Sequence, residues 1–257
     1  MRRALMFLAL APMAALADEP AAKSTSKVYE LRTYVANPGK AEAMHARFRD
    51  YTCKLFQSHG MELVGFWTPT DEKDGKKDTL IYLLAFPSRE AAKASWAAFA
   101  ADPEWVKVYK ESHKDGVLVG KVESVYMDPT DYSPPVVASV ASAGEPRAFE
   151  LRTYVASPGK FADMNKRFRE HTLDLFRSHG MTSFGYFIPR DDKQGHETTM
   201  TYLLAFPSKA AADASWKAFR DDPEWQKVKA ASEPDKVPLA AKVTSIFLEP
   251  TDYSPTK

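Results

Sequence analysis

The sequence predicts an α+β fold in which two ferredoxin-like βαββαβ modules pack together as one intrachain, pseudo-dimeric α/β barrel. Three observations predict it. One long segment occurs twice in the chain. Each copy alternates between strand-like and helix-like periodicity in the order β-α-β-β-α-β. An antiparallel sheet with helices on one face leaves its other face bare, and a second copy in the same chain is the obvious cover. The alternative is that each copy pairs with a copy from another chain.

The repeat is explicit. Glu30-Leu31-Arg32-Thr33-Tyr34-Val35-Ala36 returns as Glu150-Leu151-Arg152-Thr153-Tyr154-Val155-Ala156, and Ser58-His59-Gly60-Met61 returns as Ser178-His179-Gly180-Met181. Tyr82 to Ser88 returns as Tyr202 to Ser208, Asp102-Pro103-Glu104-Trp105 as Asp222-Pro223-Glu224-Trp225, and Pro129 to Pro134 as Pro250 to Pro255. More than half of the aligned positions are identical, which chance does not produce. The first module is placed at 27–134 and the second at 147–257, with 135–146, rich in proline and small residues, as the linker.

Within one module the elements follow from pattern and punctuation. Val28 to Val35 alternates and reads as a strand. Asn37 is placed as the cap of the next helix with Pro38 at its first position. That helix is expected to reach about Ser58, with Met44, Phe48, Thr52, Leu55 and Phe56 on one face. Gly60 supplies a left-handed stop. Met61 to Thr68 and Thr79 to Phe86 read as strands around a polar loop. Ser88 caps an alanine-rich helix carrying Trp96 and Phe99. Asp102-Pro103-Glu104 starts a further helix with cap, proline and early acid in order. Val117 to Met127 is the last strand.

Composition narrows the partners. Of 257 residues, 35 are Lys or Arg and 34 are Asp or Glu. No strong field therefore favours nucleic acid or an anionic membrane. Cys53 is the single cysteine, so no internal disulfide forms, and its helical neighbours make it a structural thiol. Residues 1–17 read as a signal peptide: Arg2-Arg3, an apolar run from Ala4 to Ala15, and Ala15-Leu16-Ala17 as the cleavage site. The run is too short for a stable span. The mature chain is thus expected to be periplasmic or secreted, without a membrane span, opening on a flexible stretch at 18–26.

The combination of Tyr29-Glu30-Leu31-Arg32-Thr33-Tyr34, Pro38-Gly39-Lys40, Gly65-Phe66-Trp67 and Asp102-Pro103-Glu104-Trp105 resembles the NIPSNAP family. The second copy matches through Glu150 to Tyr154, Pro158-Gly159-Lys160 and Asp222 to Trp225, and departs at Gly185-Tyr186-Phe187. The resemblance implies a dimeric α/β-barrel fold of the ferredoxin-like kind and no settled reaction. Eukaryotic members are associated with mitochondria and with signalling for their removal, a setting from which the signal peptide here departs.

Candidate site residues come from strand alternation and from the repeat. Tyr29, Leu31 and Thr33 share one face of the first strand; Glu30, Arg32 and Tyr34 share the other. The more apolar face is expected beneath the helices. Glu30, Arg32 and Tyr34 would then point into the barrel interior with Glu150, Arg152 and Tyr154. They form either a structural ion pair beside a tyrosine or a polar pocket in which arginine binds an anion and tyrosine or glutamate moves a proton. His59 and His179 end matching helices, a position that favours the protonated ring, with a pocket acid-base role as the alternative. Trp67 is added because Phe187 replaces it in the second copy. His45, His113 and His196 have no histidine counterpart, which argues against a duplicated metal or haem site. No zinc-type spacing, phosphate loop or dinucleotide fingerprint is present, so neither cofactor nor metal is expected. The functional expectation is a small-molecule-binding or non-catalytic protein acting as a monomeric pseudo-dimer or homo-oligomer. A cofactor-independent barrel enzyme, monooxygenase- or isomerase-like, is the alternative. A haem-binding barrel ranks third.

Overall fold

The computed structural model describes residues 27–136, 138 and 147–257. The expected signal peptide, the 18–26 stretch and most of the expected linker lie outside the described residues. In the first half the elements are β1 (Val28–Ala36), α1 (Ala41–Arg47), α2 (Cys53–Ser58), β2 (Glu62–Pro69), β3 (Thr79–Phe86), α3 (Arg89–Ala101), α4 (Pro103–Ser112) and β4 (Val119–Pro129). The second half repeats them as β5 (Ala148–Ala156), α5 (Phe161–Arg167), α6 (Leu173–Ser178), β6 (Thr182–Pro189), β7 (Thr199–Phe206), α7 (Lys209–Asp221), α8 (Pro223–Ser232) and β8 (Ala240–Pro250). A π-helical turn, Phe48–Thr52 or Phe168–Thr172, joins the first two helices of each half.

All strands pair antiparallel and close into one barrel in the order β1-β3-β2-β8-β5-β7-β6-β4. The halves meet at two seams. Trp67, Thr68 and Pro69 pair with Pro250, Glu249 and Leu248, while Met127, Asp128 and Pro129 pair with Pro189, Ile188 and Phe187. The bare face of each half is therefore covered by the other, as expected. The interior is mostly apolar and includes Tyr29, Trp67, Leu83, Phe149, Phe187 and Leu203, with Thr153 and Thr201 facing each other on the same strand faces as Leu151 and Leu203. Two further cores lie between the sheet and the helices, one in each half.

The repeated Pro-Thr-Asp-Tyr-Ser-Pro tail has a structural purpose that its sequence did not reveal. After leaving β8, Thr251 N donates to Phe66 O, and Phe66 N donates to Ser254 Oγ at 2.9 Å. Tyr253 lands on Phe48 and Phe66, and its hydroxyl meets His45 Nδ1 at 2.8 Å. The first-half tail does the same in reverse, with Tyr186 N donating to Ser133 Oγ and Tyr132 OH donating to Asn165 Oδ1. Each half is thus closed by the other's tail.

Most punctuation is as expected. Ser88 accepts from Ala91 N, Asp102 from Glu104 N and Trp105 N, and Gly60 has φ +75°. Asn37 departs from its expected capping role. Its side chain donates to Val117 O, and the helix begins after Lys40 without a side-chain cap. Pro38-Gly39 forms a turn closed by Lys40 N to Asn37 O, with Gly39 at φ +73°. That turn consumes the residues that would have been the first helical turn.

Candidate functional site

Strand β1 faces opposite to the expectation. Tyr29 and Leu31 line the barrel interior, and Glu30, Arg32 and Tyr34 lie under the helices. The reason lies in what each layer offers. The interior is filled by apolar side chains from both halves, whereas the helix layer brings donors to Glu30. Glu30 is 1% exposed and accepts from Arg32 Nη1, Trp96 Nε1 and Ser124 Oγ, each at 2.6 Å. Arg32 stacks 4.4 Å from the Trp96 ring centre and donates to Tyr34 OH at 3.3 Å. The second half repeats the arrangement: Glu150 accepts from Arg152, Trp216 and Ser245 at 2.5 Å, and Arg152 donates to Tyr154 OH at 3.2 Å. Burial works to lower the Arg32 pKa, but Tyr82, Tyr34 and Glu30 outweigh it and raise it above that of an ordinary arginine. The carboxylate, with three donors and a stacked counter-charge, is satisfied, and the cluster is structural, although Arg32 Nε and Arg152 Nε have no acceptor.

The other candidates do not join this cluster. His59 Nε2 donates to Asp102 Oδ2 at 2.7 Å, tying the end of α2 to the cap of α4, and His179 does the same with Asp222. The His59 hydrogen bond, followed by the amides of Glu104 and Trp105, holds Asp102 below the ordinary carboxylate range. Trp67 lies in the barrel interior, fully buried, with its indole Nε1 unpartnered. Gly65 makes room for it, since a Cβ there would sit 2.2 Å from the ring. Cys53 is buried, and burial pushes its thiol up to about 12. Among the described residues no three His, Cys, Asp or Glu side chains gather as metal ligands, and no helix is long and apolar enough to cross a membrane.

One cavity touches the cluster. It holds about 190 Å³ between sheet and helices in the first half and is lined by Tyr34, Arg47, Phe48, Trp105, Tyr109 and His113, with Val117 and Val122 exposed nearby. Arg47 ends α1 immediately before the π-helical turn, a feature frequent at functional sites. Thr52 Oγ1 donates to the Arg47 carbonyl at 3.1 Å, satisfying a group that the irregular turn exposes. The Arg47 side chain is 6% exposed and reaches only Ser112 Oγ, at 3.4 Å, besides the faces of Trp105 and Tyr109. Burial lowers its pKa below that of an ordinary arginine, against smaller upward effects of Tyr34, Tyr109 and Tyr82. His113 Nδ1 donates to Tyr109 O at 2.7 Å, which leaves Nε2 uncommitted by that bond.

Sequence reasoning missed Arg47, Trp105 and Tyr109 as lining residues. A helical arginine ordinarily keeps its head in water, so its burial was not readable. The available signal was its return as Arg167 inside the matched Arg-Phe-Arg of both copies.

The NIPSNAP family model matches residues 29–134 and again 149–255. The chain belongs to the NIPSNAP family. Among solved structures, a NIPSNAP family protein of unknown function from Agrobacterium tumefaciens is 27% identical, covering 43% of this chain and 95% of that one, with a TM-score of 0.38. A protein provisionally named a monooxygenase, from Lactobacillus acidophilus, is 10% identical, with 90% and 95% of the two chains covered and a TM-score of 0.56. An anthrone oxidase-like protein is 11% identical, with 90% and 94% covered and a TM-score of 0.57. The last two likenesses establish a shared fold. No curated protein matches this tandem NIPSNAP chain.

Proposed function

We propose that this NIPSNAP protein is exported and binds a small molecule in the crevice between the sheet and the helices of its first half. The observation that carries the reading is the 190 Å³ cavity with buried Arg47 in its wall. Drug-sized ligands occupy roughly 300–1,000 Å³, so the occupant is small, on the scale of one ring or a short branched chain. Trp105, Tyr109 and Phe48 supply the apolar contact, and Tyr34 and Arg47 the polar ones. The export reading rests on residues 1–17. The per-half strand order β4-β1-β3-β2 supports reading each half as a ferredoxin-like module, and the intrachain closure supports a monomeric pseudo-dimer. Equilibrium dialysis of the mature chain against single-ring aromatic compounds tests the binding reading. Saturable retention supports it; no retention of any member defeats it.

The second reading is a cofactor-independent barrel enzyme. It is favoured by the placement of a tyrosine hydroxyl and a histidine in one cavity, two groups able to move a proton, and by a fold shared with an anthrone oxidase-like protein. Fold alone does not carry function. Incubation with a panel of single-ring phenols in air, followed by their absorption spectra, separates the readings: turnover lost in His113→Ala supports the enzyme, and unchanged spectra across the panel remove it.

A further inference from the structure

The two halves treat the same buried arginine differently. In the second half Arg167 Nη1 pairs with Glu233 Oε1 at 2.8 Å, and the same oxygen accepts from Leu239 N at 3.2 Å. Arg167 is 7% exposed and lies 5.1 Å from the Trp225 ring centre, so it sits as Arg47 does against Trp105. Ser232 receives it as Ser112 receives Arg47. The carboxylate is the difference. The residue matching Glu233 is His113, and the amide matching that of Leu239 belongs to Leu118. Among the described residues no carboxylate lies within ion-pair distance of Arg47; its Nε, like that of Arg167, has no acceptor. A buried guanidinium without an anion is costly, and a carboxylate is the partner that its planar fork matches best. Lys229 also replaces Tyr109 in the second half, so one aromatic face of the wall is missing there.

We propose that the first-half cavity takes a small aromatic carboxylate, whose carboxyl group occupies against Arg47 the place that Glu233 fills against Arg167. The inference rests on the small-molecule reading above and names the ligand class. The ring lies among Trp105, Tyr109 and Phe48. In the second half Glu233 already holds that place against Arg167, so one chain binds one molecule.

Isothermal titration calorimetry of the mature chain with benzoate and with benzamide tests this. The two probes share a ring and a shape, and only one is charged. The expected result is one benzoate per chain, with benzamide weaker by roughly tenfold or more. Arg47→Met is expected to erase the difference between the probes. His113→Glu, which supplies the internal carboxylate of the second half, is expected to abolish benzoate binding and guards against Arg47→Met failing to fold. Equal affinity for the two probes overturns the carboxylate inference and leaves the cavity reading standing. Failure of both probes overturns this inference, and dialysis against the wider aromatic panel then decides the cavity reading. Two benzoates per chain, or unaltered binding in His113→Glu, also overturns it.

Discussion

The Trp96 indole N–H donates to Glu30 Oε2 across 2.6 Å and joins helix α3 to strand β1. The same bond joins Trp216 to Glu150 in the second half. It turns what looks in the sequence like a pair of catalytic candidates into the anchor between two layers.

Removing the donor leaves a buried carboxylate oxygen short of a partner. Trp96→Phe is expected to cost about 1–3 kcal/mol, and Arg32→Met, which removes the counter-charge, about 3–5 kcal/mol. Urea denaturation measures both. Because Trp216 lies in the other half, Trp96→Phe and Trp216→Phe should be additive within about 0.5 kcal/mol.

Gly65 and Trp67 are coupled through space. Gly65→Ala places a methyl group 2.2 Å from the Trp67 ring and is expected to cost at least the ~1–3 kcal/mol of ordinary overpacking. Gly185→Ala, whose nearest ring atom is 2.7 Å away on Phe187, should cost less. Trp67→Phe in the Gly65→Ala background should recover part of the loss. It also removes a buried indole N–H that has no acceptor. Denaturation midpoints of the three variants check the order.

The exchanged tails should matter through their buried contacts rather than their charges. Ser254→Ala leaves Phe66 N without its acceptor, for about 1–3 kcal/mol. Asp252 pairs with Arg49, but the side chains are 61% and 38% exposed, so Asp252→Asn should cost under ~1 kcal/mol. Thermal unfolding of the two variants compares the contributions directly.

Stability should fall on acidification. Hydrogen bonds from His59 and His179 hold Asp102 and Asp222 below the ordinary aspartate value of 3.8. Groups with a depressed folded pKa stabilise above the unfolded value, and that contribution is lost as pH falls through the folded one. The melting temperature is therefore expected to be flat above about pH 5 and to drop below the ordinary Asp range. Asp102→Asn with Asp222→Asn should shallow the drop; an unchanged acid limb contradicts the assignment.

The elements were readable because their signals are local. Ser88, Asp102-Pro103 and Gly60 act on residues next to them, and the repeat doubled each observation. The orientation of β1 was not readable, because Glu30's partners Trp96 and Ser124 lie 66 and 94 residues away. Alternation gives two faces without saying which layer holds the donors. His59 was placed at a helix end correctly, but its partner Asp102 belongs to a later element. The cavity was hidden for a similar reason. Arg47, Trp105 and His113 sit on separate turns, and only their packing makes a wall.

The central claim is that a small carboxylate binds against Arg47 in the first half, at the place Glu233 fills against Arg167 in the second. Backbone chemical-shift mapping by NMR during a benzoate titration tests it most directly. Shifts clustered around Arg47, Tyr109, His113 and Val119, with Arg167, Lys229 and Glu233 unmoved, are the predicted result. Saturation with no shift near Arg47, or matching shifts in both halves, would contradict it.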